Sequence, residues 1–185
     1  MADEHPSAPP LPALPPAPSE EVQRIDSPEQ YAALAHPLRQ RLLFVLGLQS
    51  ATISQLAVQL DAKKGNVAHH LKVLREAGLV HVAETRQVRG GTEQYYRRSA
   101  RRMIVADPQP AGTAAMLGAV AQELDRSPRE HSLVLRHLRL GPEKARQLAE
   151  LLTRLVDEAE EDGEDQPVHG VLVTVYQQSP PEERA

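Results

Sequence analysis

The stretch KKGNVAHHLKVLREAGLV, residues 63–80, holds four cationic side chains, two adjacent histidines and two glycines in eighteen positions. Neighbours on a helix are about 100° apart. Projected this way, Val67, Leu71 and Leu74 share one face with His70 at its edge, while Gly65, Asn66, His69, Lys72 and Glu76 share the other. A pair of metal-binding imidazoles on a helix needs spacing i and i+3 or i+4, so that both point at one ion. Adjacent histidines do not meet that need. His70 is therefore expected beside the core and His69 in solvent, and Gly78 supplies the left-handed residue that ends the helix.

Upstream, Ser27-Pro28-Glu29-Gln30 offers an N-cap, a proline at the first helical position and a glutamine to close a capping box. A first helix follows to about Ala35. His36-Pro37 breaks it, because the residue before proline is pushed out of the α region, and Pro37 opens a second helix through Leu48 with Leu38, Leu42, Val45 and Leu46 inward. TISQLAVQL, residues 52–60, makes a short third helix with Ile53, Leu56, Ala57 and Leu60 buried. The tight link Asp61-Ala62-Lys63 joins it to the fourth, which is the helix-turn-helix arrangement. After Gly78 the apolar period changes to two. Residues 79–85 and 92–98 read as strands, with RQVRGG between them as the turn of a hairpin.

Four helices and a hairpin make a winged helix-turn-helix, and the fold class is α+β, mainly α, with a small C-terminal α/β appendage. Residues 1–26 are read as a proline-rich disordered tail, 27–105 as the winged domain, 111–177 as a dimerisation or effector appendage and 178–185 as a second tail. In the appendage, residues 112–126 form an amphipathic helix with Met116, Leu117, Val120 and Leu124 on one side. Residues 132–140 are read as a strand, although SPRE at 127–130 also permits a helix. Residues 142–161 are a helix with the stripe Ala145, Leu148, Leu151, Leu152 and Leu155, and the β-branched run at 168–177 is a strand.

Charge divides along the same lines. Residues 1–35 carry one Lys/Arg and six Asp/Glu (−5), residues 36–105 twelve and four (+8), and residues 106–185 eight and fifteen (−7), which gives the net −4. A basic middle between acidic flanks suits a polyanion-binding module. The chain has no cysteine, so disulfides, thiolate metal sites and cysteine nucleophiles are excluded. No run of about 18 apolar residues and no leader pattern is present, and a soluble cytoplasmic protein is expected. No nucleophile–base pair or clustered acid pair suggests an enzyme, and no cofactor is expected.

The major groove of B-DNA admits one helix, whose N-terminal residues approach the base edges. Here those are Lys63, Lys64, Gly65 and Asn66, followed a turn later by His69. Asn66 can make two hydrogen bonds to an adenine edge, and Lys63, Lys64 and Lys72 neutralise phosphates. The missing side chain of Gly65 either lets the backbone come close to DNA or marks a first turn. Arg86 and Arg89 flank the hairpin tip, where an arginine can enter the minor groove. Arg97, Arg98, Arg101 and Arg102 are expected to attract phosphates diffusely.

The runs ALAHPLRQRLLFVL, TISQLAVQL and VAHHLKVLREAGLVHVAETRQVRGGTEQYYR resemble the winged-helix regulators of the ArsR type over residues 28–103. The resemblance implies a homodimeric repressor of double-stranded DNA that releases its operator when an effector binds. It implies Lys63, Lys64, Asn66, His69 and Lys72 for the groove and Arg89 for the wing. The third helix lacks the cysteines of the metal-sensing members, so thiolate sensing is out. His131 and His137 fall about 240° apart on a helix, which disfavours zinc. A mostly apolar pocket under residues 112–140 would suit a small organic effector. A winged helix used for protein contacts is the alternative, and it would want an apolar or acidic face on the fourth helix.

Overall fold

The computed structural model describes residues 20–105, 107–128, 132–163 and 165–178, with side chains from Val22 onward. Its elements are β1 (Glu20–Ile25), α1 (Pro28–Leu34), α2 (Pro37–Leu48), α3 (Ile53–Gln59), α4 (Lys64–Glu76), β2 (Val80–Val88), β3 (Gly91–Arg98), β4 (Ala100–Val105), α5 (Pro110–Arg126) and α6 (Pro142–Asp157). The chain divides between His131 and Ser132 into two compact units.

In the first unit the helix starts follow local chemistry. Ser27 Oγ accepts from the Gln30 amide at 3.2 Å, and Gln30 Oε1 accepts from the Ser27 amide at 3.3 Å. Thr52 and Gln55 repeat the device at the head of α3, at 3.2 and 2.8 Å. Each reciprocal pair satisfies two amides that a helix start leaves open. At the break between α1 and α2, His36 Nδ1 accepts from the Leu38 amide at 3.1 Å, so the residue that ends one helix caps the next. Gln40 then donates to the Leu34 carbonyl at 2.8 Å and Arg39 to the Ala32 carbonyl at 2.8 Å, closing the end of α1.

The core is built from α1–α4, Ile25 of β1 and the base of the hairpin, with Leu42, Leu46, Leu56, Val67, Leu71, Leu74 and Leu79 fully buried. Burying each such side chain stabilises the fold by about 1.5–3 kcal/mol. β2 and β3 pair antiparallel from Val80↔Arg98 to Val88↔Gly91, with a register shift between Val82 and Glu84. The turn is tighter than expected: β2 runs on to Val88, so only Arg89 and Gly90 link the strands, and Gly90 at φ 107° takes a conformation that L side chains rarely adopt. The hairpin is fastened to the helices by Ala51, whose amide donates to the Tyr96 carbonyl at 3.0 Å and whose carbonyl accepts from the Tyr96 amide at 2.9 Å.

Several expectations need correction. Residues 20–25, assigned to the N-terminal tail, form β1, which pairs parallel with β4 from Glu20↔Ala100 to Ile25↔Val105. The strand gains its place by burying Ile25 in the core. The helix at 110–126, assigned to the appendage, packs on α1 and α2 inside the first unit. Its fully buried residues are Ala115 and Ala119, whose small side chains let the helices approach; of the expected stripe, Met116, Val120 and Leu124 are half-buried and Leu117 is exposed. Residues 1–19 and 179–185 of the expected tails, and His131, lie outside the described residues.

In the second unit α6 matches the expected helix, ending at Asp157. Residues 132–140 and 168–177, expected as strands, have no regular secondary structure, since no described segment pairs with them. The β-α-β arrangement is thus absent as such from the described residues. Among them, no helix is long and apolar enough to cross a membrane.

Candidate nucleic-acid interface

α4 divides its residues sharply. Val67, His70, Leu71 and Leu74 are buried against the core, while Lys63, Lys64, Gly65, Asn66, His69 and Lys72 are exposed. The structure brings these six exposed positions onto one end and one side of the helix. Lys63 is the N-cap and makes no side-chain capping bond, so the amides of the first turn are not claimed by a cap. Gly65 lies in that first turn, and a Cβ built on it meets nothing within 4 Å. Lys72 faces Glu76 at 3.8 Å on the surface, an exposed pair of little energetic weight.

The two histidines separate as the helical projection requires. His70 is 7% exposed and lies against His36, with ring centroids 4.2 Å apart, while His69 meets His70 edge-on at 5.2 Å. Burial, and then the neighbouring His36, Arg39 and His69, push the His70 imidazole down to about 4. Burial, Arg39 and His69 lower His36 as well. Both rings are thus held neutral, and His70 is a packing residue between α4 and the head of α2. No group of three or more His, Asp or Glu side chains among the described residues is placed to hold a metal ion.

On the wing, Arg89 occupies the exposed two-residue turn. Arg86 is not at the tip. It sits inside β2, donates to both carboxylate oxygens of Glu84 at 2.6 and 2.8 Å, and stacks over the Tyr95 ring with its guanidinium carbon 4.6 Å from the centroid. The hydrogen bond from Arg86 lowers the Glu84 carboxyl. Arg86 is therefore engaged within the sheet. Sequence reasoning missed this because Glu84 and Arg86 at i and i+2 signal a shared strand face only once the strand is known to extend that far. Arg98 turns inward too: it donates to the Ala100 carbonyl at 2.7 Å and to that of Arg101, and its guanidinium lies where a Cβ on Gly47 would be, 2.8 Å away.

A cleft of about 510 Å³ opens beside the α4 N-terminus, lined by His36, Pro37, Arg41, Leu60, Lys63, Asn66 and Gln122 among others. Arg41 is fixed there by a 3.0 Å bond to the Leu60 carbonyl. The cleft shares Lys63 and Asn66 with the exposed face of α4.

Residues 34–83 match the family model described as a helix-turn-helix domain. Among solved structures, the chain is 30% identical to a possible transcriptional regulator for arsenical resistance, covering 53% of this chain and 91% of that one, with a TM-score of 0.32. It is 25% identical to an ArsR-like transcriptional regulator from Rhodococcus sp. RHA1, covering 71% of this chain and 91% of that one, with a TM-score of 0.31. No curated protein matches. The domain that carries α4 is thus a helix-turn-helix module of the DNA-binding, transcription-regulating class. The likeness to these two regulators extends over most of each of their chains.

Proposed function

We propose that the chain is a homodimeric repressor that reads double-stranded DNA with α4 in the major groove and Arg89 at the minor groove. The observation that carries the reading is the exposed face of α4. It presents Lys63, Lys64, Asn66, His69 and Lys72 around a glycine, whereas a protein-binding face would be apolar or acidic. Asn66 has the paired donor and acceptor that an adenine edge needs, and the lysines supply charge for phosphates on either side. Arg86 acts by shaping the wing, held by Glu84 and Tyr95, and Arg89 reaches outward.

An effector in the cleft beside Lys63 and Asn66 would compete with DNA for these two side chains. Without cysteine its recognition rests on hydrogen bonds, charge and apolar contact rather than thiolate ligation.

The test is the salt dependence of duplex affinity. Log K should fall with log salt by about 0.9 per phosphate neutralised. Replacing Lys63, Lys64 and Asn66 together by Ala should lower that slope by about 2, one for each lysine lost, and weaken binding throughout. Identical slopes in wild type and variant would remove α4 from the interface.

A further inference from the structure

The cleft beside the head of α4 is walled by residues that only the fold brings together: Arg41 from α2, Leu60 and Asp61 from the end of α3 and its link, Lys63 and Asn66 from the start of α4, and Gln122 from α5. Its volume, about 510 Å³, is that of a small-molecule site. Arg41 gives the cleft its chemistry. Its Nη2 donates to the Leu60 carbonyl at 3.0 Å, which fixes the guanidinium against the wall. Among the described residues it forms no ion pair with a carboxylate. Burial and then the nearby Arg126 lower its pKa, while Glu123 and Asp61, too distant to pair, raise it. A partly desolvated guanidinium in that state is relieved by an oxyanion, because its planar fork matches a carboxylate with two hydrogen bonds. His36 adds a directional donor: its Nδ1 accepts from the Leu38 amide, and burial, Arg39 and His69 keep the ring neutral, so the proton sits on Nε2. Lys63 supplies a second cation, Asp61 is the single carboxylate on the lining, and Pro37, Leu38, Leu60 and Ala62 supply apolar surface.

We infer that the cleft binds a small organic acid, with its carboxylate on Arg41 and Lys63 and a short apolar body against Pro37, Leu38 and Leu60, and that the bound acid takes Lys63 and Asn66 from DNA. The inference rests on the DNA-reading role of α4 proposed above and names the chemical class of the effector. Charge decides that class. Two cations, a neutral imidazole and one carboxylate line the site, so a cationic ligand would have to pass Arg41 and Lys63 to reach Asp61. A carboxylate meets two opposite charges in a partly desolvated place, where they count for more than in water. A polyol would satisfy the amides of Asn66 and Gln122 and leave the guanidinium unpaired. Lys63 and Asn66 belong at once to the cleft and to the exposed face of α4. An acid that draws the Lys63 ammonium toward Arg41 removes a phosphate contact, and its own charge repels the DNA backbone. The two affinities are then linked: whatever factor the acid takes from DNA binding, DNA takes from binding of the acid.

The experiment uses the full chain and benzoate as the probe, with its neutral isostere benzamide and inorganic phosphate beside it, all at constant ionic strength. Benzoate should shift the backbone amides of residues 60–66 saturably in NMR titrations, with benzamide and phosphate both weaker. Arg41→Gln should weaken benzoate by about tenfold, the loss of one charge-assisted bond. Arg41→Lys, which keeps the charge and loses the fork, should fall between the two, and unfolding curves check that each variant is folded. Saturating benzoate should lower the duplex affinity of wild type by about fivefold and leave that of Arg41→Gln unmoved. Equal binding of benzoate and benzamide, or tighter binding of phosphate, overturns the organic-acid class. The absence of a saturable shift in residues 60–66 overturns the site, and a duplex affinity untouched by saturating benzoate overturns the competition. A salt slope of duplex binding lowered by about 1 in Arg41→Gln would make Arg41 a phosphate contact and the cleft a part of the DNA interface, which also overturns the proposal. The reading of α4 fails separately: an unchanged salt slope in the triple variant of Lys63, Lys64 and Asn66 sinks that reading, while benzoate bound through Arg41 keeps the acid site and loses only its competition with DNA.

Discussion

Replacing Gly65 by Ala pulls stability and DNA binding in opposite directions. A Cβ at Gly65 meets nothing within 4 Å, and the residue lies in the first turn of α4. Nothing in the protein therefore resists the methyl group, and the usual helical preference for Ala over Gly applies at up to about 1 kcal/mol. In a first turn about 0.5 kcal/mol is the safer expectation, since the residue is only partly constrained by helical bonds. With a urea dependence of about 2 kcal/mol per molar, the unfolding midpoint should rise by roughly 0.2–0.5 M. The same methyl group points from the face proposed to meet DNA. If the helix end lies against the groove floor, the added group forces the backbone away from base edges that Asn66 must reach, and specific affinity should drop tenfold or more, about 1.4 kcal/mol. Urea unfolding and a fluorescence-anisotropy titration of one operator duplex read both quantities on one preparation. A variant that is more stable and binds as tightly as wild type refutes close approach at Gly65 and leaves it a plain first-turn residue.

Two further outcomes follow from the core. His70 favours its neutral form in the fold, with its pKa at about 4 instead of the ordinary 6.5. The unfolded chain therefore binds the extra proton between these values, so the stability is complete above pH 6.5 and is lost as pH falls toward 4. At about 1.4 kcal/mol per unit this is a loss on the order of 3 kcal/mol, to which His36, Arg39 and His69 contribute. Urea midpoints from pH 7 to 4 should flatten in His70→Gln, and parallel curves for both proteins would count against the assignment. Thr52→Ala removes one half of the capping box on α3 and should cost about 1 kcal/mol by the same unfolding assay, with an unchanged midpoint arguing that α3 is held by packing alone.

Much of the first unit was legible because its signals are local. Ser27, Thr52 and Gly78 announce helix ends through hydrogen bonds and backbone angles that involve only residues a few positions away. The 3.6-residue period of α4 separates His69 from His70 without reference to anything else. Pairing information is not local, and there the reading failed. Glu20–Ile25 becomes a strand only because Ala100–Val105, about eighty residues later, runs parallel beside it. Neither segment states this by composition. On α5 the fully buried positions are Ala115 and Ala119, while Met116, Val120 and Leu124 of the expected stripe are half-buried and Leu117 is exposed, so the large side chains flank the contact with α1 and α2 and the small ones fill its centre. At the candidate site, the helical period alone puts the cations on the exposed side of α4, whereas the sheet partners of Arg86 and the backbone partners of Arg98 depended on register and tertiary approach.

The paired hydrogen bonds between Ala51 and Tyr96 join the wing to the residue just ahead of α3. They make the hairpin and the helix-turn-helix one caliper with a fixed opening. On the proposed reading, the interval along a duplex between what α4 would touch and what Arg89 would touch is then set by the protein. An operator whose two contact points are shifted by a base pair would be accommodated only by deforming the DNA, so spacing would be discriminated at positions that no side chain reads.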